Sequence, residues 1–273
     1  MISSRKADIE TAVRWHYDCI ASEYDGCDQG LDLFLARLKH IPSTAAILDI
    51  GCGTGNLTLR LPEVGSPERV VGVDISEGVL DIAREHARER QLRNFEFLRG
   101  CACSLPFEDE DFDVVVSNNV FQLIPDQRKA FAEAVRVLRP SGRLLMKIVG
   151  GEAGVLGDFI ELFHQAWAAV LPDRQAPELC QQVTVGAVAE QLCEQGISDF
   201  NIEWIRRKRR IPEADVPRTV LPFARLVMGF WRYGVEEQAA QGIEERISRE
   251  VLTKASAAGY WTADMNALVV DAT

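Results

Sequence analysis

Apolar residues fall along this chain in short unbroken runs, separated by stretches where they recur at helical spacing. That alternation marks a parallel sheet buried on both faces, with helices between its strands. Runs at residues 45–50, 69–74, 95–99, 111–119 and 143–149 predict five such strands. Residues 76–91 and 127–138 predict intervening helices, the first with a charged outer face of Arg84, Glu85, Arg88, Glu89 and Arg90. Ahead of the first strand, residues 5–40 read as two helices, the second over 31–38 with Leu31, Leu35 and Leu38 on one face. Beyond the fifth strand, helices are predicted over 155–170 and 184–194, the latter stopped by Gly196. A sixth strand over 200–211, a long helical insertion over 213–258 and a last strand over 265–270 complete the chain.

The first run ends in Leu48-Asp49-Ile50-Gly51-Cys52-Gly53-Thr54-Gly55-Asn56, with glycine at every second position from 51 to 55. A strand ending in such a loop lets a ligand approach bare backbone. A short helix over residues 57–61, starting near Asn56, turns free N–H groups toward the same ligand. A phosphate-binding P-loop needs Lys and then Ser or Thr after its glycines, and none follows here. A dinucleotide loop, G-x-G-x-x-G, places its third glycine where Asn56 stands; here that glycine comes one residue early. The loop has an acid at its mouth, Asp49, and no base, which suits a cationic ligand better than one carrying phosphates. S-adenosylmethionine (SAM), with a sulfonium and an ammonium and no phosphate, meets that description.

Composition narrows the partners. The 273 residues are 47% hydrophobic, enough for one elaborated domain with a sizeable core. A formal net charge of −11 opposes nucleic acid and anionic membranes unless a local basic patch overrides it. The one basic cluster, Arg206-Arg207-Lys208-Arg209-Arg210, lies on the sixth strand, where alternation sends its side chains to both faces. The N-terminus lacks the apolar core of a signal peptide, and no apolar run approaches the ~20 residues that span a bilayer. Seven cysteines without paired C-x-x-C spacing point to reduced thiols and a cytoplasmic protein. Cys101 and Cys103 have no second pair or His cluster to complete a metal site, so no metal is expected.

The D-I-G-C-G-T-G segment resembles the first motif of class I SAM-dependent methyltransferases, in particular their small-molecule, type 11 branch. Later segments follow in the family's order: the acid Asp74 at the end of the second strand, Gly100-Cys101-Ala102-Cys103-Ser104-Leu105-Pro106-Phe107 after the third, and Leu138-Arg139-Pro140-Ser141-Gly142-Arg143-Leu144 before the fifth. The resemblance implies an α/β, Rossmann-like seven-stranded methyltransferase sheet with helices on both faces and the last strand antiparallel. It implies one domain over residues 1–273: lid helices over 1–40, a SAM-binding core over 45–150, and a C-terminal half whose insertion joins the N-terminus in a helical cap. Asp49, Gly51, Cys52, Gly53, Gly55 and Asn56 are then expected at the cofactor, with Asp74 and Ile75 at its ribose. A carboxylate about twenty residues past the loop accepts hydroxyl hydrogens well; Ser76 is better placed than Asp74 to cap the helix that follows. Cys101 and Ala102 fall at the adenine, where the family carries an Asp as acceptor; a thiol is a poor acceptor, so that contact is either weaker here or made by backbone or water.

Asn118 is expected beside the methionine part of SAM, with Asn119 and Gln122 facing the methyl acceptor. Tyr17-Asp18 and Tyr24-Asp25 resemble the Tyr-Asp repeat of the family's lid helix, where an aromatic ring either stacks on the cation or simply packs the helix down. A base is needed only where the nucleophile begins protonated, and Tyr17, His16 and His164 are the candidates. Trp167 in the 155–170 helix and Trp231 in the insertion are candidate substrate contacts. The function implied is transfer of a methyl group to O, N or C of a small molecule, an acid or secondary metabolite. The alternatives are a carrier-protein-bound acyl group or RNA as acceptor, the basic cluster docking it, or a non-catalytic SAM-binding scaffold.

Overall fold

The structure is a computed structural model that describes residues 2–24, 31–38, 41–149, 157–177, 183–220 and 229–273. The central strand, β1 (Ala46–Ile50), is buried at every position, which is why its sequence is an unbroken apolar run. On one side it pairs in parallel with β2 (Arg69–Asp74), and β2 with β3 (Phe95–Arg99). On the other it pairs in parallel with β4 (Phe112–Asn118), and β4 with β5 (Leu138–Val149). With β6 (Phe200–Pro212) and β7 (Tyr260–Ala272) the seven-stranded sheet has the order β3-β2-β1-β4-β5-β7-β6, and its last strand is antiparallel. The order in which strands are laid down switches sides between β1 and β4, all of them parallel there. In an open α/β sheet, the carboxyl ends of the strands at such a switch form the ligand crevice.

The helices are α1 (Ile2–Tyr24), α2 (Leu31–Arg37), α3 (Glu77–Glu89), α4 (Gln127–Arg136), α5 (Gly157–Val170), α6 (Val185–Glu194) and α7 (Glu237–Ala258). Ser76, Asp126 and Thr184 cap α3, α4 and α6 by accepting from backbone N–H groups in the first turn. In α3 the residues at helical spacing, Val79, Leu80, Ala83 and Ala87, are the buried ones.

Three stretches take a more particular form than the sequence alone predicts. The short helix expected over 57–61 is a 3-10 helix at Thr58–Glu63. Pro62 lies inside it and has no N–H to continue a helical ladder. Strand β5 starts at Leu138, before Arg143, because the pairing with β4 jumps from Phe112–Leu138 to Val114–Arg143. That irregularity holds Arg139–Gly142, with Ser141 at φ 63°. The helical insertion over 213–258 is, among the described residues, a 3-10 turn at Glu213–Asp215 running into helical residues 216–220, another 3-10 turn at Gly229–Arg232 and the long α7; Phe223 and Arg225 lie outside the described residues. So do Asp25, Gly150 and Gly151, and the side chains of Tyr24, Phe159, residues 206–209 and Phe230.

Backbone contacts gather into two compact units. The first is Met1–Ile148, Val183–Glu203 and Leu268–Thr273; the second is Val149–Gln182 and Trp204–Ala267. In the first, apolar strand residues such as Ile47, Leu48, Val71, Val115 and Leu145 form the core. In the second, α5 packs on α7, burying Leu162, Phe163 and Ala166 together with Ile243, Ile247 and Val251. No helix of the described residues is long and apolar enough to cross a membrane.

Candidate functional site

The glycine loop leaves β1 and is held to β2 by its own backbone. Gly51 N–H and Cys52 N–H both donate to the Val73 carbonyl, at 2.7 and 3.1 Å. Gly51, Gly53 and Gly55 all have positive φ (72°, 55° and 85°). At Gly51 the need for glycine is also steric, because a Cβ there would lie 2.3 Å from a Val120 methyl. Asp74, at the end of β2, braces the loop. Its Oδ2 accepts from Gly53 N–H at 2.9 Å and its Oδ1 from Ser76 N–H at 3.0 Å. Ile75, half-buried, lies between them in sequence.

Asp49 lies beneath the loop, 1% exposed. Its Oδ2 accepts from the Thr58 hydroxyl at 2.6 Å, and its Oδ1 has no partner. Burial pushes its carboxyl up to about 7, against the Thr58 hydrogen bond and with a smaller push from Asp74. Buried oxygens of Thr54, Asn118 and Gln122 also lack partners. Asn118 ends β4, and its neighbour Asn119 takes φ 61°, a conformation asparagine tolerates better than most residues. Gln122, 4% exposed, donates from Nε2 to the Asn119 carbonyl at 2.7 Å, which fixes the amide and leaves Oε1 as the open acceptor.

Two further elements of the first unit border this crevice. After β3, Gly100 N–H donates to the Asp74 carbonyl at 2.9 Å, so the turn carrying Cys101, Ala102 and Cys103 is anchored to the loop's brace. Along α1, Asp18 Oδ1 accepts from the Ser76 hydroxyl at 2.6 Å and from Gly78 N–H at 3.1 Å. A Cβ at Gly78 would lie 3.2 Å from the Asp18 Cα, so glycine there admits the close approach of α1. His16 is 3% exposed and meets the half-buried Tyr17 edge-on, ring centroids 5.3 Å apart.

The sequence-derived residues therefore sort into groups. Asp49, Gly51, Gly53, Gly55, half-buried Asn56, Asp74 and Asn118 converge at the carboxyl ends of β1, β2 and β4. Cys52, expected at the cofactor, turns its thiol inward against Leu59, Leu80, Ala83, Ala87 and Phe97, while its N–H and carbonyl bond Val73 and Gly55. Trp167 and Trp231 belong to the core of the second unit, 3% and 7% exposed, their rings 6.1 Å apart and each against Phe163. His164 is an exposed residue of that unit. Thr54, Thr58 and the Asp18–Ser76–Gly78 contact went unassigned by sequence reasoning; the Tyr17-Asp18 pair was the one signal for the last, and it drew attention to the ring instead of the acid.

These residues suit SAM. A partnerless buried carboxylate oxygen faces the demand of a cationic ligand, and the carboxylate of Asp74 retains lone pairs for hydroxyl donors. Glycine at 51 and 55 lets the loop pass close to Val120 and Leu59, where a Cβ would lie 2.3 and 2.9 Å from their side chains.

Comparison with known proteins agrees with this geometry. The family described as a methyltransferase domain matches residues 41–196. A demethylmenaquinone methyltransferase of Lactococcus lactis is 37% identical over 145 residues, 50% of this chain and 58% of that protein. An arsenite methyltransferase of Halobacterium salinarum is 37% identical over 136 residues, 48% of this chain and 34% of that protein. The chain thus spans 58% and 34% of the length of these two curated relatives. Among solved structures, the YcgJ protein of Bacillus subtilis superposes with a TM-score of 0.60 at 17% identity, covering 89% of this chain and 96% of that one. A Haemonchus contortus phosphoethanolamine N-methyltransferase, solved with S-adenosylhomocysteine, gives 0.59 at 20% identity over 91% and 53%. With more than half of its length matched by the family and its fold shared with these structures, the chain belongs to the methyltransferase-domain family.

Proposed function

We propose that this protein is an enzyme that transfers the methyl group of SAM to a nucleophilic O, N or C atom of a small molecule. The observation that carries the reading is the buried, partnerless Oδ1 of Asp49 beneath a glycine loop at the sheet's switch point. A carboxylate oxygen left unpaired in the interior is costly unless a ligand compensates it. SAM, when bound, supplies a methyl group already activated by the neighbouring sulfonium.

The protein's part is holding and excluding. Asp49 balances the positive charge, and Asp74 accepts ribose hydroxyls while its other contacts keep the loop closed. The loop, its Gly51, Cys52 and Gly53 N–H groups bonded to β2 and Asp74, offers a fixed bare backbone, and the Asn118 amide positions the rest of the cofactor. Cys101 and Ala102 border the adenine. Helix α1, pinned through Asp18, serves as a lid that keeps water out, with Tyr17 and His16 on it. Asn119 and Gln122 present polar groups to the acceptor. Alignment of reacting groups and removal of water supply about 7–11 kcal/mol of barrier lowering in favourable cases, so a general base is needed only for a protonated nucleophile.

The acceptor is set outside the matched half. Two relatives with the same degree of identity are named for acceptors as different as a demethylmenaquinone and arsenite. A reducing, cytoplasmic setting suits the free thiols of Cys19, Cys52, Cys101, Cys103 and Cys193. Incubation with SAM labelled in its methyl group and a panel of phenols, amines, carboxylic acids and arsenite tests the proposal. Labelled product with matching release of S-adenosylhomocysteine is expected. Failure to turn over any member, combined with failure to bind SAM, would sink it.

A further inference from the structure

The turn after β3 holds two thiols that methyl transfer does not use as a pair. Cys101 and Cys103 lie in a turn closed by Ser104 N–H donating to the Cys101 carbonyl at 2.9 Å. The Cys103 N–H donates to Cys101 Sγ at 3.4 Å. The Cys103 thiol lies within hydrogen-bonding reach of both Cys101 Sγ and the Asp126 carbonyl, the latter at 3.5 Å. Both cysteines are half-buried, so a small solute can reach them, unlike the core thiol of Cys52. The side-chain hydrogen bond from Cys103, helped by its N–H, pulls the Cys101 thiol from its usual 9.0 down to about 7, against burial and the charge of Glu10. Cys103 is pushed the other way by the same pairing and stays protonated. The charged groups acting on the pair are Glu10 of α1 and Asp126 at the cap of α4, and both oppose a thiolate. A thiol that ionises near ambient pH beside a second thiol is the arrangement that reacts and then resolves.

We propose that Cys101 and Cys103 form a hydroperoxide-reactive modification site, and that closing them into a disulfide within the turn lowers affinity for SAM. The Cys101 thiolate attacks one peroxide oxygen. The O–O bond breaks, a sulfenic acid forms, and hydroxide leaves and takes up a proton. The Cys103 sulfur then attacks the Cys101 sulfur, losing its proton as the S–OH oxygen departs as water. In sum, two thiols and one hydroperoxide give one disulfide, with two waters where the oxidant is hydrogen peroxide. A dithiol reductant reverses the change. To bridge, Cys103 gives up its contacts to Asp126 and to Cys101, within a turn whose first residue, Gly100, is bonded to Asp74. The effect on SAM rests on the proposed function; the thiol chemistry does not.

The test uses the full chain, hydrogen peroxide and mass spectrometry after alkylation, with SAM calorimetry in parallel. The expected product is lighter by about 2 Da, two hydrogens lost, with a Cys101–Cys103 link that dithiothreitol removes. Cys103→Ser should instead stop at an oxidised Cys101 with no internal link. The rate should rise as pH increases through about 7. SAM affinity should fall by about tenfold on oxidation and return on reduction. Finding Cys101 and Cys103 both free while the exposed Cys19 and Cys193 are oxidised would overturn the site. A linked pair with unchanged SAM affinity would overturn its coupling to the cofactor. Absence of SAM binding in the reduced protein would refute the proposed function instead, with the mass map still deciding the thiol pair.

Discussion

The carboxyl edge of the sheet in the first unit and the α5–α7 pair in the second both bury polar atoms, to opposite effect. In the second unit the Trp167 indole N–H donates to the Arg174 carbonyl at 2.8 Å, and its ring packs among Phe163 and Trp231. Every part of that side chain has a partner. At the sheet edge, oxygens of Asp49, Thr54, Asn118 and Gln122 are buried with none. A satisfied interior stabilises the fold. An unsatisfied one costs stability and is retained where a ligand completes it. Substitutions should therefore move stability in one region and affinity in the other.

The largest effect is expected at Trp167. Removing a fully packed indole in Trp167→Ala should cost about 3–5 kcal/mol, read from urea unfolding. SAM affinity of the folded fraction should change little; a large loss would show that the two regions are not separable. Next is Asp49→Asn, which removes a buried charge and keeps the shape. SAM affinity should drop by about 1.5–3 kcal/mol, the range for a hydrogen bond to a charged group, while the free protein is as stable as before or more so at pH 8. A less stable free protein would mean that Asp49 serves the fold.

A pH series sharpens the same point. Asp49's carboxyl is raised from 3.8 to about 7 in the folded chain, so the folded state favours its protonated form. Its contribution to stability is present below about pH 4 and is lost as pH rises through about 7. SAM affinity runs the other way, growing as the carboxylate forms between pH 6 and 8, with proton release on binding. Both slopes should flatten in Asp49→Asn, and persistence of either would assign it to another group. The smallest effect is at the lid: Asp18→Ala removes the bonds to Ser76 and Gly78 and should cost about 1 kcal/mol. Faster amide exchange in α1 is the readout, and unchanged exchange would show that α1 is held elsewhere.

The sequence revealed most where neighbours along the chain decide the structure. The parallel strands were legible because burial on both faces leaves a local apolar run, and Ser76 because capping is settled within a few residues. The glycine loop was legible because backbone geometry at Gly51, Gly53 and Gly55 excludes other residues. Features made by distant partners were not. The thiol of Cys52 turns inward because Leu80 and Phe97 wait there, and nothing in Gly-Cys-Gly says so. Whether Trp167 and Trp231 line a pocket or pack on each other depends on where the 3-10 turn at Gly229–Arg232, far along the chain from α5, is placed. Asp18 reaches Ser76 across 58 residues, a pairing no local pattern encodes.

The central claim is that the loop, braced by Asp74 and underlain by Asp49, holds SAM. Isothermal titration calorimetry of the full chain with SAM tests it directly, with Asp74→Ala and Asp49→Asn as comparisons. The expected result is micromolar binding in the native chain, a Kd of ~1 μM corresponding to about 8 kcal/mol, with strong loss in Asp74→Ala and weaker, pH-insensitive binding in Asp49→Asn. No heat from the native protein, or equal affinity in all three, would contradict it.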